Sequence, residues 1–148
     1  NAFSALTTSI FSSNEISNEL KQLIALASSL SSGCKYCQSH TSHGAERAGV
    51  SLKKIVAILN YSKSDLYSND EKAVLNLAFA SGSAPNNANQ KHFDELKQYY
   101  SDSQITDIVA VISLFGFLNR WNDTFGTQIE SMPNDFVKNE LLPNGWKS

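Results

Sequence analysis

Only two of the 148 residues are cysteine, three are proline and one is methionine. No apolar run approaches the roughly 20 residues that a bilayer-spanning helix requires. Two cysteines cannot build a disulfide framework, and a chain of this length buries about 70% of its unfolded surface without such staples. Charge is also sparse: charged residues make up 18% of the chain and sum to −2. Without a basic stripe there is no surface to track phosphates, which argues against nucleic acid as a partner. The N-terminus has no basic stretch followed by an apolar signal core, so the expected location is cytoplasmic, and Asn1 and Ala2 are read as a processing remnant without a role.

What the sequence does contain is helical periodicity. Apolar residues recur at threes and fours from Ile16 to Leu30, with Ser13 and Asn14 as cap candidates and Gly33 as the left-handed stop. Phe3, Leu6, Ile10 and Phe11 suggest a short helix or docking arm before it. A second helix is expected from Cys34 or Lys35 to Ala48, closed by Gly49, and a short one follows Ser51 through Asn60. Ser68-Asn69-Asp70-Glu71 has the capping-box pattern and opens a helix to about Ala80. Ala88 to Tyr100 reads as amphipathic. Ile105 to Trp121 is the most apolar segment and is expected at the centre, while the tail from Glu130, with Pro133, Pro143 and Trp146, is expected to wrap a neighbour or its own core. No strand alternation, repeat or linker interrupts the chain. The fold class is therefore all-α, a single domain over residues 1–148 with about six to eight helices.

Both cysteines and two of the three histidines lie in Cys34-Lys35-Tyr36-Cys37-Gln38-Ser39-His40-Thr41-Ser42-His43. On a helix, residues three apart are neighbours, so Cys34 and Cys37 can reach disulfide geometry and His40 falls one turn beyond Cys37. The set supplies an attacking thiol, a resolving thiol and a base. Zinc is the rival, because Cys34, Cys37, His40 and His43 are all potential ligands. On one helix, however, Cys34 and His43 lie on opposite faces about 13–14 Å apart along the axis, too far for bonds of about 2.0–2.3 Å. The helix terminus favours Cys34 as the more acidic thiol, whereas the histidine favours Cys37. Tyr36 is either a pocket wall or a core aromatic, His43 is read as a surface or interface residue, and His92 as solvated.

This run, with Glu19-Leu20-Lys21-Gln22-Leu23-Ile24-Ala25-Leu26-Ala27 before it and Leu114-Phe115-Gly116-Phe117-Leu118-Asn119-Arg120-Trp121-Asn122-Asp123-Thr124 after it, resembles the alkylhydroperoxidase D-like branch of the carboxymuconolactone decarboxylase family. The resemblance implies an oligomeric helical domain, trimer or hexamer, that reduces hydroperoxides without metal or organic cofactor. It also implies Cys37 as peroxidatic thiol and Cys34 as resolving thiol. The family's relay glutamate stands twelve residues before the first cysteine, where this chain has Gln22, and its histidine stands four after the second, where this chain has Thr41. His40 is then the relay histidine, and Gln22 or Glu19, one turn earlier, is its partner.

The expected function is a thiol peroxidase that requires a hydroperoxide and an external thiol or disulfide reductant, with no membrane partner. The alternatives are a non-enzymatic redox-sensing oligomer and lactone decarboxylation. The last leaves the cysteine pair unexplained.

Overall fold

A computed structural model describes residues 1–147. Among these there are eight α-helices and no strand: α1 (Ala2–Ser12), α2 (Asn18–Ser32), α3 (Lys35–Arg47), α4 (Leu52–Val56), α5 (Asn69–Gly82), α6 (Gln90–Leu96), α7 (Asp102–Phe125) and α8 (Ser131–Phe136). Short 3-10 and π turns extend α4 and α8. Among the described residues, no helix is long and apolar enough to cross a membrane.

The sequence punctuation explains most boundaries. Ser17 and Ser51 cap α2 and α4 through their side chains, and the Ser68–Glu71 capping box opens α5 as expected. Gly33 ends α2 at φ +80°, where a side chain would be strained. Asn1, which the sequence alone marks for no role, accepts through its side chain from the Ser4 N–H and caps α1. The expected Ala88–Tyr100 helix is shorter, and within its first turn His92 Nδ1 accepts from the Asn89 N–H.

The central helix is α2, not the more apolar α7. It packs against α3, α5 and α7, and its residues from Leu23 to Ser29 are all buried. Small side chains at Ala25, Ala27, Ser28 and Ser29 allow neighbours to approach from several sides. Gly82 of α5 shows how closely: a Cβ there would lie 2.8 Å from the Ser28 carbonyl oxygen. Helix α7 instead leaves Phe117, Trp121 and Phe125 exposed, because its apolar residues exceed what one core-facing stripe can bury.

One charge is fully enclosed. Lys21, 1% exposed, donates through Nζ to the carbonyls of Ile10 and Ser13 at 2.9 and 2.6 Å, and lies 3.5 Å from Asp107 Oδ2 of α7. It thereby satisfies the open C-terminal end of α1 and fastens that helix to the bundle. At the other end of the chain, Leu141 and Trp146 are buried in the common core, so the tail wraps its own chain.

Candidate active site

Helix α3 begins at the cysteine pair. Cys34 is its N-cap, and its sulfur accepts from the Cys37 N–H at 3.3 Å. Both thiols are free and buried, and the bond from the Cys37 N–H to the Cys34 sulfur holds the two residues side by side at the start of α3. The spacing thus brings the two sulfurs together, as helical geometry requires.

They differ in access. Cys37 lines a cavity of about 280 Å³ between α2, α3 and α7, and Cys34 does not. Phe115, Leu118 and the Tyr36 ring make much of the wall apolar, while His40, Gln22 and Asn122 supply polar groups. Asn122 Nδ2 lies 3.7 Å from Cys37 Sγ and donates to the Leu118 carbonyl at 3.0 Å.

The cavity wall also explains Gly44. A Cβ on it would lie 2.7 Å from Gln22 Oε1, so the glycine makes room for the Gln22 amide against α3. Gln22 therefore shares the cavity with His40. Glu19 does not: it is exposed on the first turn of α2, and its carboxylate sits beside Gly49 at the far end of α3.

The carboxylate that meets His40 comes from ninety residues away. Glu130 Oε2 is 2.6 Å from His40 Nε2, and Glu130 Oε1 accepts from the Tyr36 hydroxyl at 3.1 Å. The Tyr36 and His40 rings lie 4.3 Å apart between centroids, so the imidazole is held by a carboxylate at one nitrogen and an aromatic face beside it. A carboxylate on Nε2 fixes the proton there and leaves Nδ1 as the basic atom. This partner is neither Gln22 nor Glu19. Its only sequence signal is that Glu130 is the sole carboxylate between Asp123 and Asp135.

The electrostatics set the resting state. Burial pushes the Cys37 thiol up, reinforced by the neighbouring Cys34 and the Asp123 carboxylate, while the Asn122 N–H works in the opposite direction. Cys37 thus rests as a thiol and must lose its proton when it reacts. Glu130 is held below the ordinary carboxylate range by its own backbone N–H, then by His40 and Tyr36. Burial and the adjacent Glu130 push the Tyr36 phenol up, which keeps it a donor. His43 is turned to the tail, 5.3 Å from the Phe136 ring, and does not line the cavity.

The family model described as the carboxymuconolactone decarboxylase family matches residues 1–80. The solved structure of the debrominase Bmp8 is 42% identical, covers 93% of this chain and 74% of its own, and superposes with a TM-score of 0.87. A cysteine-to-alanine variant of Bmp8 in complex with 2,3,4-tribromopyrrole gives a TM-score of 0.88. ATU0492 of Agrobacterium tumefaciens, a protein of unknown function described as a candidate antioxidant defence protein AhpD, is 26% identical with a TM-score of 0.81, covering 87% of this chain and 88% of its own. The uncharacterized protein YdfG of Bacillus subtilis is 24% identical over 119 residues, which are 80% of this chain and 81% of that protein.

Proposed function

The chain belongs to the carboxymuconolactone decarboxylase family, and on that premise we propose that it is a dithiol-dependent reductase acting on small hydroperoxides. The observation that carries this reading is the unequal access of the two sulfurs: Cys37 opens on the cavity and Cys34 stands behind it. Cys37 gives its proton toward His40 Nδ1 and attacks the distal peroxide oxygen. The O–O bond breaks, the alkoxide leaves with a proton, and Cys37 becomes a sulfenic acid. Cys34 then attacks that sulfur, releasing water and closing the disulfide, and two reducing equivalents from an external thiol restore the dithiol. His40 is the proton carrier and Glu130 orients it. Cys34 and Cys37 need neither metal nor organic cofactor for this cycle.

A second reading has a specific observation behind it, the 42% identity to a debrominase over 93% of this chain. A thiolate can also attack bromine on an electron-rich ring. The C–Br bond breaks, the ring carbon takes a proton, and Cys34 displaces bromide from the sulfenyl bromide to give the same disulfide. Aromatic walls at Phe115 and Tyr36 suit a flat ring.

The whole chain is taken as one domain that works as a homo-oligomer in a reducing, cytoplasmic setting. The ladder Phe3, Phe117, Trp121 and Phe125, each ring 5.0–5.7 Å from the next, offers the apolar face that such an assembly buries. Steady-state assays with dithiothreitol separate the readings: cumene hydroperoxide consumption against bromide release from a polybrominated pyrrole, each with Cys37→Ser as control. Catalytic peroxide consumption lost in Cys37→Ser supports the first reading. Bromide release without peroxide turnover supports the second. A single turnover per dithiol would favour a redox sensor.

A further inference from the structure

Gln22 stands at the relay position of the resemblance, but the relay contact is filled from elsewhere. Glu130 Oε2 lies 2.6 Å from His40 Nε2, so the carboxylate that holds the imidazole comes from the tail. Yet the fold keeps room for the Gln22 amide. Its Oε1 is 2.7 Å from where a Cβ on Gly44 would stand, and the side chain lines the cavity that Cys37 opens on. Among the described residues this amide has no hydrogen-bond partner. No protein contact therefore fixes which way it faces, and it can turn its carbonyl or its N–H to a ligand.

The other polar groups of the cavity have their donors committed. The Tyr36 hydroxyl donates to Glu130, the Thr41 hydroxyl to the Cys37 carbonyl at 2.7 Å, and Asn122 Nδ2 to the Leu118 carbonyl at 3.0 Å. Glu130 accepts from His40 Nε2. What these groups leave open is acceptors, His40 Nδ1 and the lone pairs of the Thr41 oxygen. Such a wall suits a ligand that brings an N–H or O–H of its own.

Size and charge narrow the ligand further. The cavity, about 280 Å³, is at the small end of the roughly 300–1,000 Å³ usual for ligand sites, so a compact ring that meets Cys37 also meets Gln22. Phe115, Leu118 and the Tyr36 ring offer it apolar faces. No lysine, arginine, aspartate or glutamate lines the cavity, and the charges acting on its lining, Glu130 on His40 and Asp123 on Cys37, are both negative. An anion entering here would lose its hydration without gaining a cation.

We propose that Gln22 is the specificity-determining residue of this cavity and receives an N–H or O–H carried by a compact, uncharged aromatic substrate. The inference rests on Cys37 as the attacking group, which both readings above share. A site that pairs with a substrate N–H or O–H discriminates against the analogue lacking it, because its own polar group is then left enclosed and unpaired.

The test measures occupancy without turnover, as protection of Cys37 from iodoacetamide, followed by mass spectrometry on the Cys37 peptide. The probes are indole with N-methylindole and phenol with anisole. In the wild type the N–H or O–H member of a pair should protect at about three- to tenfold lower concentration than its methylated partner, the worth of one hydrogen bond, and the larger ratio identifies the donor. Gln22→Leu should bring each pair within about twofold and leave protection by N-methylindole and anisole in place, which also reports an intact cavity. Gly44→Ala, whose new Cβ would displace the flexible end of Gln22, should shrink the ratios with the amide still present. Indole-2-carboxylate should need about tenfold more than indole-2-carboxamide, which has the same size without the charge. No preference in the wild type, or a preference that persists in Gln22→Leu, would overturn the role of Gln22, and equal protection by the carboxylate and the carboxamide would overturn the selection against charge. Because protection needs no catalysis, these outcomes stand apart from peroxide consumption and bromide release, whose failure would overturn the proposed reactions instead.

Discussion

Lys21 and His40 each tie another segment to the helical bundle and each face a carboxylate, but in opposite surroundings. Lys21 is buried, holds the carbonyl end of α1 and faces Asp107. His40 and Glu130 hold the tail to α3 with side chains 38% and 60% exposed. Removing a charge from its hydration shell is costly, so the buried contact persists only while every partner is in place. An exposed contact adds little to stability because water competes for both groups. It stays free to exchange protons with a substrate. Burial depth thus divides the two contacts into one that holds the fold and one suited to chemistry.

Breaking the buried contact should have the largest effect. Lys21→Ala leaves the Asp107 carboxylate enclosed without its cation and the end of α1 without donors, at a cost of about 3–5 kcal/mol. That is a large share of the stability of a domain of this size. Urea unfolding should show the loss as a lower midpoint at unchanged slope. A midpoint like that of the wild type would mean that α1 is held by its apolar contacts alone.

The exposed contact should behave in reverse. Glu130→Gln should leave the urea midpoint in place and slow the oxidation of Cys37 by roughly 10–100-fold, the usual effect of disturbing a group that orients a catalytic residue. His40→Ala should cost more, about 10²–10⁴-fold. Glu19→Gln should change neither stability nor rate, because that side chain faces solvent away from the cavity. Stopped-flow oxidation of the three variants ranks them, and a loss in Glu19→Gln larger than in Glu130→Gln would move the relay back to α2.

This contrast also marks what the sequence could carry. Caps, stops and the Cys-x-x-Cys-x-x-His spacing are local, and local chemistry put Gly33, Ser68 and the two sulfurs where they are. Lys21 and Glu130 depend on contacts across the fold. A lysine beside Leu20 reads as the polar edge of an amphipathic helix, and only the passage of α1 over that edge buries it. Glu130 is separated from His40 by ninety positions, and no helical period links them. Sequence and structure differ on the centre of the bundle for a related reason: apolarity singles out α7, whereas small side chains let α2 accept neighbours on several faces.

The smallest effect belongs to Asn122, the group that faces Cys37 across the cavity from α7. Since burial holds Cys37 as a thiol, its alkylation by iodoacetamide should rise roughly tenfold per pH unit from pH 7 to 9 without a plateau, because only the thiolate reacts. Asn122→Leu removes an N–H that favours the thiolate, so the profile should move to higher pH and the rate at fixed pH fall about three- to tenfold. Asp123→Asn removes a carboxylate that disfavours the thiolate, and its profile should move to lower pH. The two substitutions are adjacent on α7, so a general loosening of the helix would shift both profiles the same way. Opposite shifts, followed by mass spectrometry on the Cys37 peptide, would show that the field of these two side chains sets the proton on the attacking sulfur.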